Sequence, residues 1–402
     1  MSNLLVPTRE DEAADMIRAC AEAKRTLSIA GGNTRSGFGN AVQADAVLRS
    51  AGLSGIVAYD PAEMVMTVRS GTPLTDVEDA LAEHGQMLAF EPADHRGMMG
   101  TQGEPTIGGV FATNTSGPRR FVAGAARDSL LGLRFINGRG EVLRAGGRVM
   151  KNVTGLDLVK LLAGSFGTLA FLSEVTFRVL PRPQDQQTIV LSGLEDAEAA
   201  RAMAIAMGLP VEVSGAAHLP ESVRSRFVNG MLPEGAATVL RLEGLPASVT
   251  VRADKLEQAM RQLGPVSRLD AEESTLLWQE IRDVRPYCDG TQKPLWRVSV
   301  APSSGFQMVA ALRLEAGIDA FYDWQGGLVW MRMEAEPEAE LVRHVMHQIG
   351  GGHANLLRAS EEMRSWCDSF EPLPSAVALL SRRVKEKFDP QGIFNPGKMA
   401  RD

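Results

Sequence analysis

The chain has 402 residues, 44% of them hydrophobic and 23% charged, the balance of a folded protein with more than one core. Its net charge of −7 offers no basic field to a nucleic-acid backbone, and no Lys/Arg cluster is interleaved with aromatics, so nucleic acid is not an expected partner. No apolar run approaches the roughly 20 residues that span a bilayer and the N-terminus carries no signal-peptide pattern, so no membrane span is expected and the expected location is the cytoplasm.

In chain order, Thr8 is expected to cap a helix over residues 8–24, with Met16, Ile17 and Cys20 on one face. Residues 27–30 read as a short strand that empties into Gly31-Gly32-Asn33-Thr34-Arg35-Ser36-Gly37. Consecutive glycines permit positive φ and close backbone approach to a ligand, so N–H groups can converge on phosphate oxygens. Asn33, Thr34 and Ser36 add short donors and Arg35 adds charge; taken alone, the loop serves an ordinary tight turn equally well. After a strand at 45–49, residues 55–59 and 64–68 pair around Asp60-Pro61. Thr72-Pro73 then opens a helix, with proline at N1, that runs to about His84 and stops at Gly85. In Thr106-Ile107-Gly108-Gly109-Val110, small residues start a short helix whose free N–H groups suit an anion or a ring carbonyl. Close helix packing is the competing reason for those glycines.

Strands at 131–136 and 141–144 flank the hairpin turn Asn137-Gly138-Arg139-Gly140. A helix at 156–163 and a long strand at 168–180 follow, and Pro181-Arg182-Pro183 with the polar run behind it marks a domain boundary near residue 184. The second half alternates helices at 195–208, 250–263 and 337–349 with strands at 238–242, 295–300 and 327–331. Helices covering an antiparallel sheet are the simplest arrangement, and the fold class is α+β.

The three cysteines, Cys20, Cys288 and Cys367, are far apart and form no Cys-x-x-Cys pair, so neither a disulfide framework nor a Cys-ligated iron–sulfur cluster is encoded. The run Gly392 to Met399 nearly spells a P-loop, but Met399 cannot ligate Mg²⁺ and no helix can follow it. His344, His347 and His353 fall close together, yet no neighbouring Cys or carboxylate completes a metal set, and no metal is expected. Arg119, Arg120 and Lys398 carry charge suited to a carboxylate and equally suited to structural or solvated roles.

The order of the two glycine segments followed by Arg127-Asp128-Ser129-Leu130-Leu131-Gly132-Leu133 resembles the FAD-binding domain of the vanillyl-alcohol oxidase and p-cresol methylhydroxylase (PCMH) superfamily. Residues 141–158 and 161–169 are similar to the FAD-binding subunits of bacterial glycolate oxidases, and the likeness resumes at 350–354 and 389–399. The resemblance implies a two-subdomain PCMH-type FAD-binding domain over 1–183 and an α+β cap domain with an antiparallel sheet over 184–370. It further implies a segment over 371–402 that returns to the flavin. No Gly-x-Gly-x-x-Gly follows a predicted strand, in keeping with a non-Rossmann site. The positions it assigns to FAD are Gly31, Gly32, Asn33, Thr34, Arg35, Ser36, Thr106, Ile107, Gly108, Gly109, Gly167, Thr168, Val175 and Asn395. FAD is expected to be noncovalent, His95 being the only histidine near the flavin-contacting region.

The implied activity is oxidation of glycolate, a small 2-hydroxy acid, to glyoxylate. The implied partners are a larger homologous FAD subunit and an iron–sulfur subunit, which would also supply any association with the inner face of the membrane. Related 2-hydroxyacid dehydrogenases carry His-x-Gly-Asp-Gly-Asn-x-His near the substrate. This chain lacks it, and His353 is the only candidate base that falls near the corresponding place in order. The expected role is therefore electron relay or shaping of a complex. The alternatives are a stand-alone FAD-dependent D-2-hydroxyacid (D-lactate-type) dehydrogenase and a non-catalytic flavoprotein-like scaffold.

Overall fold

The computed structural model describes residues 3–148 and 156–401, so residues 149–155 of the motif at 141–158 lie outside the described residues. Strand β1 (Asn3–Leu5), helix α1 (Glu10–Glu22), β2 (Leu27–Ala30) and β3 (Ala46–Arg49) open the chain, and the strands form a parallel sheet in the order β1-β3-β2. Helix α1 buries Ala13, Ala14, Ile17 and Cys20 in the same cluster as Leu27, Ala46 and Leu48. Thr8 is not its cap. Arg9 occupies the N-cap position, and the Thr8 hydroxyl donates instead to Glu12 at 3.0 Å. Glu10, Asp11 and Glu12 in the first turn complement the positive helix end in its place.

Next come β4 (Ile56–Asp60), β5 (Val65–Arg69), α2 (Leu74–Ala82), β6 (Gln86–Met87), α3 (Ile107–Thr113), β7 (Leu130–Ile136), β8 (Val142–Gly146), α4 (Leu158–Leu162), β9 (Phe171–Arg178) and β10 (Leu180–Pro181). Five of these strands make an antiparallel sheet in the order β4-β5-β9-β7-β8, while β10 pairs with β6. Helix α3 covers its centre through Phe111, whose ring centroid is 5.4 Å from that of Phe177. Pro73 stands one position before the expected N1. It is extended and bridged to Thr106, because the Leu74 N–H donates to the Pro105 carbonyl at 2.7 Å.

At Asp185 the chain enters an eight-stranded antiparallel sheet built from two βαββαβ units. The first is β11 (Asp185–Ser192), α5 (Asp196–Gly208), β12 (Gly215–Leu219), β13 (Ala237–Gly244), α6 (Pro246–Met260) and β14 (Val266–Leu269). Helix α6 starts earlier than the expected residue 250 because Pro246 sits in its first turn, where its missing N–H costs nothing. After α7 (Ala271–Arg282) the second unit is β15 (Leu295–Ser299), α8 (Gly305–Leu312), β16 (Ile318–Asp323), β17 (Leu328–Met333), α9 (Ala339–Gln348) and β18 (His353–Arg358). The strand order β14-β11-β13-β12-β16-β17-β15-β18 is symmetric about the β12–β16 junction. There Asp196 accepts from Tyr322 Oη at 2.6 Å and Arg313 Nη1 at 2.9 Å, and stands 3.2 Å from His218 Nε2.

Helix α10 (Ser375–Phe388) leads back to the first sheet. The Leu27 N–H donates to Ile393 at 2.7 Å and the Asn395 N–H to Leu27 at 2.9 Å, so the tail runs parallel beside β2. The large sheet is tied to the N-terminal half by Trp324 Nε1 on the Gly117 carbonyl (3.0 Å) and Arg358 Nη1 on the Met98 carbonyl (2.7 Å). Among the described residues no helix is long and apolar enough to cross a membrane.

Candidate functional site

A cavity of about 280 Å³ lies where β2, the start of α3, the turn before β9 and the returning tail meet. Gly31, Gly32, Asn33, Thr34, Arg35, Ser36, Thr106, Gly108, Gly109, Gly167 and Asn395 line it. Ile107 and Val175 do not: both are fully buried in the core of the five-stranded sheet. Thr168 is also absent from the lining, its hydroxyl donating to the Ser165 carbonyl at 2.7 Å and its carbonyl accepting from Lys385 at 2.6 Å. The lining also includes Ser70 and Val42, which no sequence motif marked, and Phe166 and Lys398.

The geometry of the first loop follows from its glycines. A Cβ on Gly32 would stand 1.6 Å from the Glu104 carbonyl oxygen, so only glycine lets these two backbones touch. Asn33 follows in the left-handed region at φ 63° and turns the chain. The amides of Asn33, Thr34, Arg35 and Ser36 donate to no acceptor among the described residues. Successive unpaired amides in a tight turn form an anion-binding concavity.

The second glycine segment works differently from the sequence expectation. The Ile107 N–H donates to Thr72 (3.0 Å), the Gly108 N–H to Ser70 (2.8 Å), and the Gly109 N–H to Thr106 Oγ1 (3.3 Å). Its first-turn amides are therefore consumed within the fold, and this segment supplies space rather than donors. Asn395 pins the tail against the cavity, its Nδ2 donating to Phe166 at 2.7 Å and its Oδ1 accepting from the Ile29 N–H at 2.8 Å.

Among the described residues, Arg35 and Lys398 are the charged members of the lining, and no carboxylate joins them. Arg35 Nε is buried without a hydrogen-bond partner among the described residues. Burial pushes the Arg35 guanidinium down to about 10 and the Lys398 ammonium down to about 8, the latter with help from Arg364. Two cations with no ion pair among the described residues, beside free amides, fit the diphosphate of a dinucleotide. An aromatic wall adjoins them: Phe166 makes edge contacts with Phe38 (5.1 Å) and Phe370 (5.0 Å).

The histidines stand elsewhere. His95 is buried outside the lining, 3.1 Å from the Ala93 carbonyl through Nδ1, and burial together with Arg35 pushes it down to about 3, so it is neutral. His353 is exposed at the start of β18, opposite Ser299, and lines neither this cavity nor a second one. His347 faces Glu371 at 3.4 Å, and His344 bonds Gln348.

The second cavity, about 390 Å³, lies in the crease between the N-terminal half and the large sheet. Arg119 is spent there on ion pairs with Glu91 (3.5 Å) and Glu243, and Arg241 joins both carboxylates at 2.9 and 3.4 Å. Burial pushes the Glu243 carboxyl up, but Arg241 and Arg119 outweigh it and hold it at about 2. Arg119 is thus structural rather than a holder of substrate carboxylate, and Arg120 lies over the Trp324 ring at 4.5 Å.

Comparison with known proteins places this architecture. The family described as "FAD binding domain" matches residues 2–146. p-Cresol methylhydroxylase with substrate bound shares the fold at a TM-score of 0.71 and 15% identity, over 99% of this chain and 88% of that one. Alkyldihydroxyacetonephosphate synthase does so at 0.68 and 17% identity, over 98% and 76%. Fold and family model therefore define an FAD-binding protein with the PCMH-type fold. In sequence, the D-lactate dehydrogenase of Archaeoglobus fulgidus is 26% identical, over 98% of this chain and 90% of its own. Glycolate oxidase subunit GlcE of Escherichia coli is 34% identical, over 96% of this chain and 95% of its own, and the chain belongs to the GlcE family of FAD-binding subunits.

Proposed function

We propose that this chain is the GlcE-type subunit of a glycolate oxidase complex, which oxidises glycolate to glyoxylate and passes the electrons to an iron–sulfur subunit, with a larger homologous flavin subunit alongside. The observation that carries the reading is the cradle of free amides with Arg35, Lys398 and, among the described residues, no carboxylate, in a chain similar to GlcE from end to end. Bound FAD supplies hydride-accepting and electron-relaying chemistry. In this reading Asn33 to Ser36 bind the diphosphate through their amides, Arg35 and Lys398 neutralise it, Asn395 fixes the tail against it, and Phe38, Phe166 and Phe370 keep water from one side. No histidine, cysteine or tyrosine lines the cavity, which supports noncovalent binding.

Proton abstraction from substrate needs a base near neutral pKa within hydrogen-bond reach. Neither cavity contains a histidine and His353 is exposed away from both, which supports assigning that step to the partner flavin subunit. Anaerobic addition of glycolate to the purified chain tests this. The flavin bands should persist until the partner subunits are added; bleaching of the isolated chain would establish a stand-alone dehydrogenase instead.

A further inference from the structure

Helix α10 has no buried residue along its length. Its C-terminal half is anchored: Val384 and Phe388 pack on the core of the five-stranded sheet, and Lys385 donates to the Thr168 and Phe394 carbonyls at 2.6 and 2.9 Å. Its N-terminal half projects. No residue over 372–381 is charged, and Leu373, Val377, Leu379 and Leu380 are between 46% and 61% exposed. At about 100° per residue, Val377, Leu379 and Leu380 spread over about 160° of the circumference. The remaining positions of these turns are Ser375, Ala376, Ala378 and Ser381, so no charged face is left for water.

An apolar face this wide with no charged face opposite it belongs against a partner surface rather than in water. An isolated helix this short is marginal in water, and Pro374 at the N-cap gives α10 no side-chain cap bond. A helix lying on a bilayer would carry cations along its whole polar face. Here Arg382, Arg383 and Lys387 come only after the apolar turns, and none of them has an ion pair among the described residues. With Lys385 and Glu386 between them, they leave this end of the helix with more cations than anions on a chain of net charge −7.

We infer that the first two turns of α10, with Leu373, insert into an apolar socket on another protein subunit whose mouth carries carboxylates facing Arg382, Arg383 and Lys387. The inference rests on the reading of the chain as one subunit of a complex. The affinity-tagged full chain co-expressed with its partner flavin and iron–sulfur subunits tests it, as wild type, Leu380→Asp, and the double variant Arg382→Glu/Arg383→Glu. Leu380 and the arginines are exposed, so flavin content per chain should match wild type in every case and serves as the folding control.

Leu380→Asp should lower partner recovery at least tenfold. The double variant should lower it to an extent that grows as salt is reduced, since like charges then face each other at the rim. Stoichiometric recovery with Leu380→Asp at normal flavin content overturns the docking site while leaving the complex intact. A flavin-loaded wild type that recovers no partner overturns the complex and the docking site together. Sedimentation with anionic phosphatidylglycerol vesicles, lost in Leu380→Asp while partner recovery is unchanged, would make the helix a membrane contact and overturn the proposal.

Discussion

At Gly32 a single methyl group would meet the Glu104 carbonyl oxygen at 1.6 Å, and the atom in its way is backbone that cannot rotate aside. Gly32→Ala should therefore separate the loop from residues 104–106, cost about 1–3 kcal/mol of stability, and lower bound flavin at least tenfold, read as the ratio of visible to ultraviolet absorbance. Lys398 gives the cradle a pH dependence. Its ammonium is held at about 8 with no ion pair among the described residues, and an anionic diphosphate would raise it again, so binding takes up a proton above that pH. FAD affinity should weaken as pH rises from 8 to 10, and Lys398→Met should flatten the profile at a weaker level; an equally steep profile in the variant would assign the effect elsewhere. Asp323 is a different case. It is buried and accepts the Trp324 N–H at 2.7 Å, and burial pushes its carboxyl up to about 7. Because the folded pKa lies above the unfolded value of about 3.9, stability falls as pH rises between the two and stays reduced above 7. Asp323→Asn should raise the urea midpoint at pH 8 and leave it nearly unchanged at pH 4.

Among the elements, what was legible in sequence depended on how local the cause was. Strand β2 and its glycine loop follow from neighbouring residues, as do the Asn137-Gly138 hairpin and the helix after β11. Thr8 misled because Glu12, one turn on, takes its hydroxyl in preference to a backbone amide. The amides of α3 looked free because their acceptors, Ser70 and Thr72, lie on a distant loop. Val175 was placed at the flavin by likeness alone, whereas its position on β9 puts the side chain in the core. The duplication within the large sheet shows in its strand order, which only long-range pairing establishes. The junction of its two halves depends on Asp196, His218, Arg313 and Tyr322, brought together from across the sheet. Tyr322→Phe removes one donor from Asp196 and should cost about 1–2 kcal/mol in urea unfolding. An unchanged midpoint would show that Arg313 and His218 hold the junction unaided.

Across the whole molecule, the N-terminal half and the large sheet are held together by a buried charge network in which Glu91 and Arg119 meet Arg241 and Glu243. Glu243→Gln leaves both arginines sharing one carboxylate and should destabilise the chain by about 3–5 kcal/mol. Since the Glu243 pKa is depressed to about 2, its contribution is fully present above about 4.3, the unfolded value, and is lost as pH falls through 2. The variant should thus show a shallower acid transition. The network fixes the large sheet against the N-terminal half, whose Phe38 shares a core cluster with Leu219 of that sheet and Trp324 of its β16–β17 turn. The site as built requires that this chain itself carry one noncovalent FAD in the cradle of Asn33 to Ser36. The direct measurement is the visible spectrum of the purified isolated chain beside its Gly32→Ala variant, followed by acid precipitation and assay of the supernatant for FAD. If the chain binds FAD in this way, the wild type should show flavin bands, the variant almost none, and acid should release all the colour. A colourless wild type that cannot be reconstituted with FAD, a variant that binds FAD as tightly, or colour that stays with the precipitate would contradict it.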